Sequence, residues 1–292
     1  DELIGRRGAL VLRGYGGSEK TMMVSDGNGM VCTKRLAGDE ASLYAEILTV
    51  PVVAGSDRYR SIMFLKRECF RKACDFEYVV LDDAYQNYDV KKDIEILLLD
   101  ARRPFENGHC LPAGRLREKD YSRADIVVLT HANKIGDGEL IELRGLLSSK
   151  QVFTGKHVFA GLVDGDGDAV GEEEISGQKV CVLAGIGSFR QFVDSVQQLN
   201  AEVVIEHHYP DHYQYSQDDI CLLQKQKNEG LFDIIVTTRK DWQRLEGLVA
   251  GKGLRIYIQD VKFEFLLKKE KEDFFSFFYD KIGWRGREKG KG

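Results

Sequence analysis

Short apolar runs alternate with stretches of helical period along most of this chain, and the alternation predicts its elements. Ala9 to Leu12 reads as a strand, Ala41 to Leu48 as a helix and Val50 to Val53 as a strand. Arg58 to Cys74 reads as a helix with Ile62, Leu65 and Cys69 on one face, and strands follow at Tyr78 to Leu81, Ile94 to Leu99 and Ile126 to Leu129. Such alternation implies an α/β domain on a largely parallel sheet. Between Lys156 and Lys179 the texture changes: the run Val158 to Val163 precedes Asp164-Gly-Asp-Gly-Asp168 and the acidic cluster Glu172 to Glu174. A second, smaller α/β unit then begins, with strands at Val180 to Ala184, Val203 to Ile205, Ile234 to Thr237 and Leu254 to Ile258, and helices at Phe189 to Leu199 and Gln217 to Gln226. The expected division is a core over 1–155, a hinge or linker over 156–179 and a smaller domain over 180–292 that includes a C-terminal helix and basic tail.

Two of the runs, Tyr78 to Leu81 and Ile94 to Leu99, stop abruptly at aspartates. Val79, Val80 and Leu81 carry nothing polar between them, which predicts a central parallel strand covered on both faces, and ligands collect at the carboxyl ends of such strands. Asp82 and Asp83 would sit there. Paired carboxylates in that position suit Mg²⁺, a hard cation that keeps most of its waters when it accompanies a bound nucleotide.

Composition narrows the field. At 292 residues, 43% hydrophobic and 30% charged, the chain can bury a full core. A net charge of −5 argues against a protein that coats nucleic acid. The six cysteines show no C-x-x-C spacing, which fits reduced, packed thiols in a cytosolic compartment. No run approaches the roughly 20 apolar residues that span a bilayer. The chain begins at Asp1, without Met, and is treated as a candidate fragment.

Several motifs compete for the chemistry. Gly185-Ile-Gly187 follows a strand and Glu206 lies about 20 residues on, as a dinucleotide fingerprint asks, but Arg190 takes the place of the third glycine. A tight strand-to-helix turn is the favoured reading. Asp164, Asp166 and Asp168 imitate a calcium loop, but Ala169 and Ile175 stand where an EF-hand needs glycine and glutamate, so a solvated loop is expected. The segment His207-His-Tyr-Pro-Asp-His212 places three histidines and Asp211 beyond a strand end. Zinc ligation, and with it a metal-dependent hydrolase, is one reading; Pro210 blocks helical ligand geometry, and a histidine working as general base is preferred. Gly14 to Thr21 approaches G-x-x-x-x-G-K-[ST], but Glu19 replaces the second glycine and a hairpin rather than a helix follows, so it is rejected as a phosphate cradle.

Taken in order, the motifs resemble the tetraacyldisaccharide 4'-kinases, also called lipid A 4'-kinases. The matching residues are Arg13-Gly-Tyr-Gly16, Gly38-Asp-Glu40, Pro51 to Arg58, Leu81-Asp-Asp-Ala-Tyr-Gln86 with Asp93-Ile-Glu95, Asn107 to Glu118, Ala184 to Gly187, Pro210-Asp-His212 and Thr237 to Asp241. The resemblance implies a P-loop NTPase-like parallel sheet domain with a second α/β domain. It also implies transfer of the ATP γ-phosphate to the 4'-hydroxyl of tetraacyldisaccharide 1-phosphate, at the cytoplasmic face of the bacterial inner membrane. Carried over residue by residue, Asp39 and His212, with Asp211 beside it, look like the group that deprotonates the sugar. Asp82, Asp83 and Gln86 would organise Mg²⁺, Glu40, Glu118 and Arg117 would lie near metal or nucleotide, and Arg58 and Asn107 would contact phosphate or sugar. The family carries its P-loop and a membrane-associated helix upstream of Arg13, so ATP-dependent turnover is expected to need a segment before Asp1; a relative that binds the disaccharide without phosphorylating it is the alternative. Asn87 stands where the family has histidine, and Ala84 where it has glycine. Phe274, Phe275, Phe277, Phe278 and Trp284, interleaved with lysine and arginine, suit either an anionic lipid surface or a helix packed on the core.

Overall fold

A computed structural model describes residues 8–14, 21–72, 76–106, 108–110, 113–114, 116, 118 and 120–283, Arg35 by its backbone alone. The chain divides into two compact units, the first made of Asp1–His157 with Phe263–Gly292, the second of Val158–Lys262. The boundary after His157 falls within the expected junction of 156–179, but most of that segment packs with the second unit, and the C-terminal helix belongs to the first unit rather than to the smaller one.

In the first unit, β1 (Gly8–Leu12) pairs in parallel with β3 (Pro51–Ala54) and β4 (Tyr78–Leu81), while β2 (Met22–Asp26) runs antiparallel beside β3. The runs of β1 and β3 are buried throughout because helices cover both faces. One face meets α1 (Lys34–Ala37) and α2 (Asp39–Ile47) through Ala37, Ala41 and Ala45. The other meets α3 (Arg58–Lys72) through Leu65 and Cys69. Helix α3 starts where Asp57 accepts the Arg60 N–H at 2.9 Å, an N-cap bond that satisfies one of the helix's orphan donors.

A second parallel set in the same unit comprises β5 (Ile96–Asp100), β6 (Ile126–Thr130) and β7 (Gln151–Val163). Helix α4 (Asp137–Leu146) covers one of its faces with Leu143, and α8 (Lys268–Lys281) covers the other with Phe274. Each fully buried aliphatic side chain here is worth about 1.5–3 kcal/mol. Helix α8 is held to this unit by Phe274 edge-on to Phe153 (centroids 5.3 Å) and Phe278 edge-on to Tyr78 (5.7 Å). Glu270 accepts the Thr154 N–H at 2.8 Å, its hydroxyl at 2.6 Å, and the Arg144 guanidinium. Phe274 and Phe278 are thus core and Phe275 and Phe277 half-buried against it, as the packed-helix reading expects, and residues 284–292 lie outside the described set.

In the second unit, the parallel order is β10 (Glu202–His208), β9 (Lys179–Ala184), β11 (Ile234–Thr238) and β12 (Ile256–Phe265), the last running back into the first unit. Val180 through Ala184 are 0% exposed, with α5 (Phe189–Gln197) on one side and α6 (Gln217–Asn228) and α7 (Arg239–Val249) on the other. The aspartate loop joins β7 to the two-residue β8 (Ala169–Val170), with the Asp164 side chain accepting the backbone N–H groups of Asp166 and Asp168 at 3.0 Å. A turn closed by its own carboxylate is the solvated loop expected.

Candidate active site

The carboxyl ends of β1, β3 and β4 gather the first unit's candidate residues. Gly55 follows β3 into a turn with no room for a side chain: a Cβ there would lie 2.4 Å from Ser61 Oγ and 2.8 Å from Thr21 Oγ1. That closeness brings α3 tight against the strand ends. Arg58, one residue into the helix, is 3% exposed. Its guanidinium donates to the carbonyls of Gly55 (3.2 Å) and Asp82 (2.6 Å), so it clamps the ends of β3 and β4. Expected as a phosphate or sugar contact, Arg58 has a structural task as well, two backbone carbonyls, of which sequence alone gave no sign.

Asp82 and Asp83 follow β4 as expected. Burial, then the charges of Glu40 and Asp83, push the Asp82 carboxyl up; the Asp83 N–H and Arg58 pull it back less. Asp83 has φ 46°, a left-handed conformation that aspartate tolerates and that clusters at working sites. Asp39 and Glu40 open α2, and Glu40 joins Asp82 in raising the Tyr44 phenol, already pushed up by burial, to about 12. The site is therefore a concentration of negative charge, with Tyr44 beside it as a member that no motif announced.

A cavity of about 1240 Å³ opens beside these residues. Its walls are the backbone and side chains of β4 on one side and of β5 on the other, and Asp82, Asp83, Gln86 and Glu118 line it too. Among the described strands β4 pairs only with β1, and β5 only with β6. This corrects the expectation of a central, doubly covered β4: its residues are half-exposed, and Leu98 of β5 is 64% exposed.

Glu118 lines the same cavity as Asp82 and Asp83, with its carboxylate already engaged by protein donors. Both its oxygens accept from Arg123 Nη2 (3.1 and 2.9 Å), and Tyr88 donates to it at 2.8 Å. Arg123 in turn lies 4.5 Å above Tyr85 and 4.4 Å above Tyr88, and donates to the Tyr85 carbonyl. The segment after Asp83, which includes exposed Gln86, is thereby fastened. Asn107 and Arg117 lie outside the described residues.

In the second unit, His212 and Asp211 sit on the loop after β10. Asp211 accepts the His212 N–H (3.1 Å) and Lys240 Nζ (2.9 Å), and its second oxygen lies 3.8 Å from His212 Nε2. Burial raises the Asp211 carboxyl, but the Lys240 bond and charge leave it below the usual range. His212 has φ 60° and is 55% exposed. The loop is held from beneath by Asp241, 0% exposed, which accepts from Gly185 N (3.1 Å), Tyr215 OH (3.0 Å), Thr238 Oγ1 (2.7 Å) and Arg244 Nη2 (3.0 Å). Gly185 is required: a Cβ would approach the Pro210 carbonyl to 2.7 Å. So the Gly185 turn serves packing, as expected, and Arg190 pairs with Glu206 at 3.3 Å.

His207 bonds Gln226 at 3.1 Å, and His208 stacks on Phe189 at 4.3 Å. Adjacent on a strand, they point to opposite faces. Among the described residues no group of three or more histidine, cysteine or acidic side chains is arranged to hold a metal ion, which removes the support for a zinc hydrolase. Mg²⁺ makes a lighter demand, one or two carboxylates plus phosphate oxygens and water, and Asp82 and Asp83 fit it.

Comparison with known proteins agrees with this arrangement. The family model for tetraacyldisaccharide-1-P 4'-kinase matches residues 3–282. A tetraacyldisaccharide 4'-kinase of Syntrophus aciditrophicus (strain SB) is 35% identical over 254 residues, 82% of this chain and 67% of that protein. One from Desulfatibacillum aliphaticivorans is 32% identical over 280 residues, 91% of this chain and 73% of the relative. Among solved structures, the "apo" form of LpxK from Aquifex aeolicus in complex with ATP superposes with a TM-score of 0.69 at 26% identity, covering 94% of this chain and 79% of that one. An α/β fold of the P-loop kinase type, the acidic strand end and a match over nearly the whole length lead to one statement: the chain belongs to the tetraacyldisaccharide-1-P 4'-kinase family.

Proposed function

We propose that this protein transfers the γ-phosphate of ATP to the 4'-hydroxyl of a tetraacylated glucosamine disaccharide 1-phosphate, a step of lipid A synthesis. The observation that carries the reading is the Asp82 carboxyl, half-buried at a strand end and pushed up by burial and then by the charges of Glu40 and Asp83, an electrostatic deficit that a cation relieves. Asp82 and Asp83 would hold Mg²⁺, which when bound neutralises charge on the transferring phosphate. Arg58 keeps the ends of β3 and β4 in register, so that the two carboxylates need not reorganise during transfer. The His212 imidazole takes the proton of the attacking hydroxyl, and Asp211, kept ionised by Lys240, orients the loop that carries it. Asp39 is proposed as a second member of the proton-abstracting group, at the first turn of α2. Arg117 and Asn107 keep their proposed roles on nucleotide, phosphate or sugar.

Because the substrate carries four acyl chains, the reaction is proposed to run at a membrane surface, on the cytoplasmic face of the inner membrane. Among the described residues no helix is long and apolar enough to cross a membrane. Transfer of radiolabel from γ-labelled ATP to the disaccharide tests the proposal. Parent activity is expected, with kcat lowered about 10²- to 10⁴-fold in His212→Ala and Asp39→Ala. Lipid binding without transfer would replace the kinase with a lipid-binding relative, and unaltered turnover in either variant would remove that residue from the chemistry.

A further inference from the structure

We propose that the outward face of α3 is a docking surface for an anionic lipid bilayer. The buried face of this helix, Arg58, Ser61, Leu65 and Cys69, is fully used against the sheet. Opposite it, Tyr59, Met63, Lys66 and Phe70 follow one another at helical spacing along a single exposed stripe. Tyr59 is 58% exposed, Met63 48% and Phe70 90%. A phenylalanine that exposed contributes nothing to the core, and three large apolar groups in a row make a patch rather than the scattered singles normal on a surface.

The charge around the stripe identifies the occupant. Arg60, Lys66, Arg67, Arg71 and Lys72 are all exposed, and Glu68 is the helix's one acidic residue. Within a chain of net charge −5, this helix therefore carries an excess of positive charge. Its cations are only partly compensated: Arg60 meets Asp57 at 3.3 Å, Lys72 meets Asp26 at 3.0 Å, and Arg67 and Arg71 share Glu68 at 3.2 and 3.4 Å. Exposed pairs of this kind hold about 0–1 kcal/mol each and yield readily to a denser array of anions. Aromatic and thioether side chains along a stripe, flanked by long cationic side chains able to snorkel, form the pattern of a helix that lies in the headgroup layer.

The same helix begins at Arg58, whose guanidinium holds the Asp82 carbonyl. Docking through α3 would therefore bring the acidic strand end of the first unit to the lipid surface. The inference stands on exposure and charge and does not depend on the phosphotransfer reading.

Co-sedimentation of the 292-residue chain with phosphatidylglycerol–phosphatidylcholine vesicles, against pure phosphatidylcholine vesicles, tests it without any assay of turnover. Binding at least about tenfold tighter to the anionic vesicles is expected, weakening with added salt. Arg67→Gln with Arg71→Gln should abolish most of that preference, and Met63→Ser with Phe70→Ser should weaken binding about tenfold. Both double variants should keep the parent's thermal midpoint, because the substituted groups are exposed. Ile141→Ser with Leu146→Ser on α4, equally exposed but without the basic flank, should bind as the parent does. Equal binding to neutral and anionic vesicles, no binding, or undiminished binding by the α3 variants would overturn the proposal.

Discussion

Two aspartates in the two units look alike in sequence, each at a strand end within a motif, and the structure treats them in opposite ways. Asp241 is wholly enclosed and receives four donors, one of them an arginine buried with it. Asp82 is half-buried among other carboxylates, and the nearby Arg58 gives its hydrogen bond to the Asp82 carbonyl rather than to the carboxylate. The first charge is finished within the fold, whereas the second is left for something else to finish. A motif aspartate is thus sorted by its account of donors: a carboxylate with four donors builds the scaffold, and one with few donors set among like charges at a strand end points to a ligand.

The largest expected effect breaks the satisfied side of this comparison. Asp241→Ala removes the hub and strands Arg244, which should cost about 3–5 kcal/mol and appear as a lowered urea midpoint of the second unit. A loss below about 1 kcal/mol would show that the network is wet and weak. Asp82→Asn should act in the other direction. Since the folded pKa of Asp82 is raised, protonation favours the fold: this contribution is fully present below the unfolded value of 3.8 and is lost as pH rises through the folded pKa. At neutral pH the asparagine variant should therefore melt at or above the parent temperature, with the gap closing in acid, while transfer activity falls. A variant less stable at neutral pH would mean that the Asp82 charge is compensated after all. The smallest effect sharpens the contrast: Arg190→Ala breaks an exposed pair with Glu206 and should change stability by less than about 0.5 kcal/mol, leaving ATP affinity untouched. A weakened ATP affinity would revive the dinucleotide reading of the Gly185 turn.

Much of the fold is legible because parallel strands covered on both faces write themselves as unbroken apolar runs, as β1, β3, β6, β9 and β11 do. Helix α4 is not, since Gly138 and Gly145 dilute its period and Leu143 is its one buried residue. Helix α7 hides inside the Thr237 to Asp241 motif, which reads as chemistry when it is also an N-cap: Thr238 accepts the Asp241 N–H. Strand β7 runs through Gly155, Lys156 and His157, which look like the end of an element, because Gly155 lets the Phe263 ring lie against the backbone. At the site, the strand-end carboxylates could be read directly. The tasks of Arg58, Glu118 and Asp241 could not, because each depends on partners such as Asp82, Tyr88 or Gly185 that only folding brings near.

The facing edges of β4 and β5 have a consequence for handling the protein. Each pairs along one side only among the described strands, and the 1240 Å³ cavity between them is walled by Val79, Val80, Leu97 and Leu98. An apolar edge of this kind is a template for further strand pairing, and neither strand carries the lysine or proline by which natural edges discourage it. The chain should therefore be prone to concentration-dependent association through β-sheet growth. Light scattering rising with protein concentration, and suppressed by Leu98→Lys, would trace that stickiness to this edge.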